Sequence, residues 1–202
     1  MTEIVVDVKN LFKSYTFDRN LAVNNVSFEV FNKEIIGIVG EKGAVVPKED
    51  YVFFTNMTVQ DHIKFYSEIS FCSNDIYDML KRLNFKRQLN DKIKDLDRVE
   101  RNKLKIVFAL LKNRKILFLE EPTNGMTEED KHCFWNEIKL LKNEKTIIFS
   151  TESIEEASYC ADFILYLKEG KILSMGNKET IVKTLEKKHQ LCEIEIEINH
   201  QY

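Results

Sequence analysis

The sequence predicts a mixed α/β domain with a parallel sheet at its core. Three observations carry that expectation. The first third alternates apolar and polar residues with strand periodicity, and the middle switches to helical spacing. The remainder alternates short apolar runs with amphipathic stretches. The 202 residues suit one domain, 1–202, long enough to bury a core.

The elements follow in order. Ile4 to Val8 and Val26 to Phe31 alternate as strands, and Ile35 to Gly40 is an apolar run closed by glycine. Thr58 is placed to cap a helix through VQDHIKFYSEIS, with Ile63, Phe65 or Tyr66, and Ile69 at helical spacing. Asn74 opens a second short helix, NDIYDMLKRL. Asp97 with Glu100 has the form of a capping box ahead of a helix through VERNKLKIVFALLKN.

KILFLEEP follows as a strand stopped by Pro122. Thr127, with Glu128, Glu129 and Asp130 in the first turn, starts the next helix, because carboxylates suit the bare N–H groups there. TIIFS is a buried strand, SIEEASYCA a helix, and FILYLKEGKILSMG a hairpin turning near Glu169-Gly170. A helix over ETIVKTLEKK and a strand over LCEIEIEI complete the expectation.

Composition narrows the function classes. Hydrophobic residues make up 44%, charged residues 31%, and the net charge is −3 with both signs interspersed, which points away from a nucleic-acid partner. No apolar run approaches a bilayer span, and MTEIVVDVKN lacks a signal-peptide pattern, so no direct membrane insertion by this chain is expected. Cys72, Cys133, Cys160 and Cys192 lie far apart, without ligand-like pairing to His62, His132, His189 or His200. They are expected to be free thiols in a reducing compartment, with no metal site.

The stretch ILFLEEPTNGM, from Ile116 to Met126, resembles the Walker B strand and following loop of ABC transporter ATP-binding domains. That chemistry uses a buried strand to deliver two carboxylates at its carboxyl end, one for the magnesium shell and one to polarise water. The resemblance extends over nearly the whole chain. LFKSYTFDRNLAVNNVSFEVFNKEIIGIVGEKGA is similar to the amino-terminal half of such a domain, and TIIFSTESIEEASYCADFILYLKEGKILSMG to its switch strand, helix and closing hairpin. MTVQDHIKFYSEI resembles the start of its helical subdomain, placed at approximately 57–112. His62 with Phe65-Tyr66 is most similar to the A subfamily of lipid transporters, with bacterial drug or ion exporters next.

The resemblance implies a P-loop fold, ATP and Mg²⁺ as cofactors, and transmembrane domains and a second nucleotide-binding domain as partners. It also implies a cytoplasmic location at the face of a membrane. Tyr15 falls where the family stacks adenine; Gly40, Glu41, Lys42, Gly43 and Ala44 match the first half of its phosphate loop. Glu120 takes the place of the magnesium-shell aspartate, and Glu121 matches the water-polarising base.

The departures from the family pattern fall on the same constellation. Val45, Val46 and Pro47 stand where glycine, lysine and the hydroxyl residue belong; they supply neither the backbone freedom nor the charge, and Pro47 lacks an N–H. VPKEDYVFFTNMTV already resembles the Q-loop region, so the domain is expected to be truncated between phosphate loop and Q-loop, as skipping an exon would produce. Lys48 or Glu49 replaces the magnesium-sensing glutamine. Leu96, Asp97, Arg98, Val99 and Glu100 replace the signature Leu-Ser-Gly-Gly-Gln, Thr127 replaces an aspartate at the dimer contact, and Glu152 replaces the switch histidine. The expected function is a non-catalytic half or a splice or decay product of a lipid-type transporter, with its ATP site vestigial. A working ATPase subunit, and a fragment that does not fold stably, are the alternatives.

Overall fold

The computed structural model describes residues 3–14, 21–40, 53–70, 76–111 and 114–186. The chain divides into two compact units, Met1–Val45 with Ile148–Tyr202, and Val46–Ile147.

In the first unit, β1 (Ile4–Ser14) and β2 (Leu21–Phe31) form an antiparallel ribbon, paired from Ile4 with Phe31 to Ser14 with Leu21. Both strands run longer than their alternating cores suggest. Asn10 and Asn25 take left-handed backbone, φ 49° and 57°, which asparagine tolerates better than most residues, and the register shifts along the ribbon.

β3 (Ile35–Gly40) pairs in parallel with β6 (Phe163–Lys168), from Ile36 opposite Phe163 to Gly40 opposite Leu167. β6 turns through Glu169-Gly170 into antiparallel β7 (Lys171–Gly176). β5 (Thr146–Thr151), buried at every position, lies on the other side of β3, giving the order β5-β3-β6-β7. The β3–β6 pair is the parallel element that the apolar runs predict, and antiparallel β7 makes the sheet mixed.

Local chemistry fixes the packing of this sheet. A Cβ on Gly37 would sit 3.1 Å from both Ala157 and Phe149, so glycine lets α5 (Ile154–Cys160) approach β3 closely. Asp162 clamps the start of β3: its carboxylate accepts the Ile35 N–H at 2.9 Å and its N–H donates to the Ile35 carbonyl at 2.8 Å. The hairpin turn takes φ 50° at Glu169 and 73° at Gly170, the geometry of a two-residue turn matched to strand twist. A helix over 178–186 follows Asn177, whose side chain accepts the Thr180 N–H at 3.1 Å. The strand expected over LCEIEIEI lies outside the described residues.

The second unit carries most of the helices. α1 (Val59–Ser70) occupies the stretch read from its period, and α2 (Ile76–Arg82) is the body of the expected second helix, whose opening at Asn74 lies outside the described residues. A 3-10 turn, Ile93–Asp95, leads to α3 (Arg98–Leu111), then β4 (Ile116–Glu120) and α4 (Glu128–Leu141). α3 contacts α1 and α2, and α2 contacts α4. Their buried faces include Leu80, Leu104, Phe108, Trp135 and Ile138. Burying such side chains contributes roughly 1.5–3 kcal/mol each, which outweighs the weak intrinsic stability of short helices.

Two ion pairs orient these helices. Arg82 meets Glu137 with two parallel bonds, Nε to Oε2 at 2.7 Å and Nη2 to Oε1 at 2.9 Å. Lys103 reaches Asp130 Oδ1 at 2.8 Å and the Asn84 carbonyl at 3.0 Å. The periodicity of α2, α3 and α4 does not reveal these cross-helix partners.

No helix among the described residues is long and apolar enough to cross a membrane. Cys133 is half-buried and Cys160 buried, neither in a disulfide, while Cys72 and Cys192 lie outside the described residues.

Candidate functional site

The acidic end of β4 is the most built-up part of the expected site. Leu117 and Leu119 are buried on one face of the strand, which delivers Glu120 half-buried, with Oε2 shielded from solvent. Glu121 follows with φ 41°, left-handed backbone directly before Pro122. For a residue with a Cβ that conformation costs roughly 1 kcal/mol, and strain of this kind persists only where the surroundings enforce it.

The surroundings here are two successive turns. Asn124 N–H donates to the Glu121 carbonyl at 3.1 Å, and Met126 N–H to the Thr123 carbonyl at 2.9 Å. Gly125 takes φ 83° in the second turn, where a side chain would be strained although Val99 leaves 3.5 Å of room. Asn102 on α3 donates to the Pro122 carbonyl at 2.7 Å, holding the loop against the helix. Asn102 is a positioning residue that the sequence gives no signal for, since it sits mid-helix among polar neighbours. Thr127 then caps α4 by accepting the Asp130 N–H at 3.2 Å, as its position predicts.

At the amino end of α3 the capping box is closed in both directions. Asp97 Oδ1 accepts the Glu100 N–H at 2.8 Å, and Glu100 Oε2 accepts the Asp97 N–H at 2.8 Å. Glu100 also pairs with Arg87 at 2.6 Å, and Arg101 donates twice to the Leu96 carbonyl, at 2.9 and 2.6 Å. A helix amino terminus attracts anions through bare N–H groups and its dipole. Here the chain's own carboxylates take that place. Arg98 is exposed beside them.

In the first unit Gly40 ends β3, with Leu167 3.2 Å from where its Cβ would lie. β5 ends at buried Thr151, and Glu152 after it is exposed. Ser153 caps α5, accepting the Glu156 N–H at 3.0 Å and donating to Glu155 at 2.9 Å. Backbone and Ser153 hydrogen bonds hold the Glu155 carboxyl below the ordinary range. The turn after β5 is therefore an acidic helix start.

Tyr15, Glu41, Lys42, Gly43 and Ala44 lie outside the described residues, as do Val45, Val46, Pro47, Lys48 and Glu49. Among the expected site residues, the structure brings Glu120 and Glu121 together at the end of β4.

No protein-family model matches the chain. Individual relatives do. Rat ATP-binding cassette sub-family A member 17 is 31% identical over 135 residues, covering 64% of this chain and 8% of the relative. Human Phospholipid-transporting ATPase ABCA3 is 29% identical over 136 residues, 65% of this chain and 8% of the relative. Rat sub-family A member 2 is 22% identical over 218 aligned residues, 86% of this chain and 9% of the relative. Among solved structures, an ATP-binding subunit of an ABC transporter superposes with TM-score 0.71 at 18% identity, covering 89% of this chain and 92% of that one. A bacterial Atm1-family ABC exporter with ATP bound gives TM-score 0.72 at 18% identity, over 88% and 39%.

The chain is related to the ABC nucleotide-binding domains of the A subfamily. The α/β fold is that of an ABC cassette. This ABC-type domain spans less than a tenth of the length of the curated relatives named above. In the ABC-type domain the donor set at the end of β4, two adjacent carboxylates, suits a hydrated Mg²⁺. The amino terminus of α3, already capped by Asp97, does not suit a phosphate.

Proposed function

We propose that this ABC-type domain is a non-catalytic counterpart of a nucleotide-binding domain, carrying a vestigial ATP and Mg²⁺ site. The observation that supports this most directly is the closed capping box of α3. Asp97 sets a negative charge where the family's signature serine and glycine amides would grip the γ-phosphate of a second domain. Glu152 sets another after β5, where the resemblance calls for a histidine. Val45, Val46 and Pro47 remove the lysine and the hydroxyl from the phosphate loop. With these losses on one constellation, restoring any single residue recovers little.

The proposal includes the internal truncation after Ala44 or Val45. Its support is that the alignment to sub-family A member 2 runs over 218 positions, more than the 202 residues of the chain, so that relative contributes residues this chain lacks. A helical subdomain over approximately 57–112, transmembrane domains and a second nucleotide-binding domain as partners, and a place at the cytoplasmic face of a membrane belong to the same reading. A lipid cargo rests on the name of Phospholipid-transporting ATPase ABCA3.

One observation favours a working ATPase instead. Glu121 is held in strained backbone at the end of β4, and stored strain clusters at functional sites. Steady-state ATP turnover by the purified chain with Mg²⁺ separates the two. The proposal expects wild type and Glu121→Gln to be alike at background; turnover that Glu121→Gln abolishes would overturn it.

A further inference from the structure

His62 joins the start of α1 to the segment before it, through bonds that require a neutral ring. The helix begins with a reciprocal cap: Asp61 N–H donates to the Thr58 hydroxyl at 3.1 Å, and Asp61 Oδ2 accepts the Thr58 N–H at 3.0 Å and its hydroxyl at 2.7 Å. His62 follows with 0% exposure. Its Nε2 lies 3.0 Å from the Phe54 N–H and its Nδ1 lies 3.1 Å from the Thr58 carbonyl.

A backbone N–H only donates, so Nε2 is the bare, accepting nitrogen. A carbonyl only accepts, so Nδ1 carries the proton. The partners thus fix one neutral tautomer. A second proton on Nε2 would face the Phe54 N–H, setting donor against donor.

The Asp61 carboxylate is close enough to act on the charge of the ring, but its hydrogen bonds go to Thr58 and not to Nε2. Phe53, Phe54 and Tyr66 surround the ring at centroid distances of 5.6, 6.0 and 6.4 Å, and Tyr66 stacks on Phe108 of α3 at 4.4 Å. The charged groups on the packed elements are Asp61 and Lys64 on α1, Lys105 on α3, 6.0 Å from the Phe53 ring, and Asp91, Lys92, Lys94 and Asp95 around the 3-10 turn. That turn holds the same segment through Ile93 N–H to the Met57 carbonyl at 3.0 Å and Lys94 N–H to the Thr55 carbonyl at 3.1 Å. Thr58 side-chain and backbone hydrogen bonds hold the Asp61 carboxyl below the ordinary range, so it stays ionised in mild acid. Imidazole is in general the side chain that changes charge between pH 5 and 8.

We propose that His62 is an acid-sensitive latch whose protonation at Nε2 releases Phe54 from α1 while the rest of the helical unit stays folded. The device works whether or not the domain binds nucleotide. The latch opens locally because one backbone bond depends on the bare Nε2, while the Nδ1–H bond to the Thr58 carbonyl survives protonation, and sub-global opening of this kind is visible in amide exchange.

Amide exchange and imidazole ¹⁵N shifts, read by NMR on the full chain from pH 7.5 to 5.5, test it. The expected result is the Nδ1–H tautomer at pH 7.5. The Phe54 protection factor should fall about tenfold on acidification, as loss of one partly buried hydrogen bond implies, with Trp135 fluorescence unchanged. His62→Gln offers a non-titrating acceptor and should flatten the Phe54 profile. An Nε2–H tautomer, an unprotected Phe54 amide at pH 7.5, a pH-independent wild-type profile, or the same fall in His62→Gln would each overturn the proposal. The wild-type tautomer and profile decide it even if the variant does not fold.

Discussion

Lys103→Met isolates the ion pair that ties α3 to α4. The lysine side chain is 5% exposed and donates to Asp130 Oδ1 at 2.8 Å and the Asn84 carbonyl at 3.0 Å. Methionine replaces most of the aliphatic stem, so the cavity left behind is small and the loss is electrostatic. Asp130, 13% exposed, then keeps the Asn84 Nδ2 bond at 2.8 Å but faces no cation at that distance. Breaking a buried pair from one side costs about 3–5 kcal/mol, and the surviving Asn84 bond places this case near 3.

The cost depends on pH with a definite sign. Burial pushes the Asp130 carboxyl up, but hydrogen bonds from Lys103 and Asn84 and the charge on Lys103 outweigh it and hold the group below its ordinary range. A depressed carboxyl contributes stability that is present above its unfolded value, near 3.9, and is lost as pH falls through the lower folded one. The gap between wild type and Lys103→Met should therefore be full at pH 7 and shrink below about pH 4. Urea unfolding at pH 7, 4 and 3 measures it, followed through Trp135, the single tryptophan, buried on α4 beside this pair in sequence. A gap under about 1 kcal/mol at pH 7, or one that persists undiminished at pH 3, would refute the reasoning.

Three further outcomes follow from backbone geometry and capping. Glu169→Asn should stabilise the first unit by about 0.5 kcal/mol in thermal unfolding, because φ 50° suits asparagine better than glutamate in a turn of this type. Gly170→Ala should cost at least about 2 kcal/mol, since its Cβ would meet the Leu21 and Ala22 carbonyl oxygens at 2.8 and 2.9 Å with φ 73°. Asp97→Ala should cost about 1 kcal/mol in urea unfolding through loss of the cap, and Asp97→Ser distinctly less.

Local signals made most of the fold legible. The caps at Thr58, Asp97 and Thr127 and the period of α1, α3 and α4 depend on residues a few positions apart, which a sequence displays directly. The strand pairings were legible in kind, as apolar runs, but their order was not, because the partner of Ile36 is Phe163 and nothing local says so. Cross-helix partners escaped for the same reason: Arg82 with Glu137 and Lys103 with Asp130 look like solvated charges until the helices are packed.

The site was legible unevenly. ILFLEEPTNGM announced Glu120 and Glu121, but the strain at Glu121 and the Asn102 bond to Pro122 arise from the three-dimensional path of the loop. The substitution of Asp97 for serine was visible as a change of charge. The capping box it forms with Glu100 was visible too, and the geometry adds the Arg87 pair to Glu100 and the Arg101 bonds to the Leu96 carbonyl.

Whether nucleotide binds at all tests the central claim most directly. Equilibrium titration of the full chain with a fluorescent ATP analogue, with and without Mg²⁺, should give no saturable binding in the micromolar range. Saturation at micromolar concentration, dependent on Mg²⁺ and displaced by unlabelled ATP, would contradict the account.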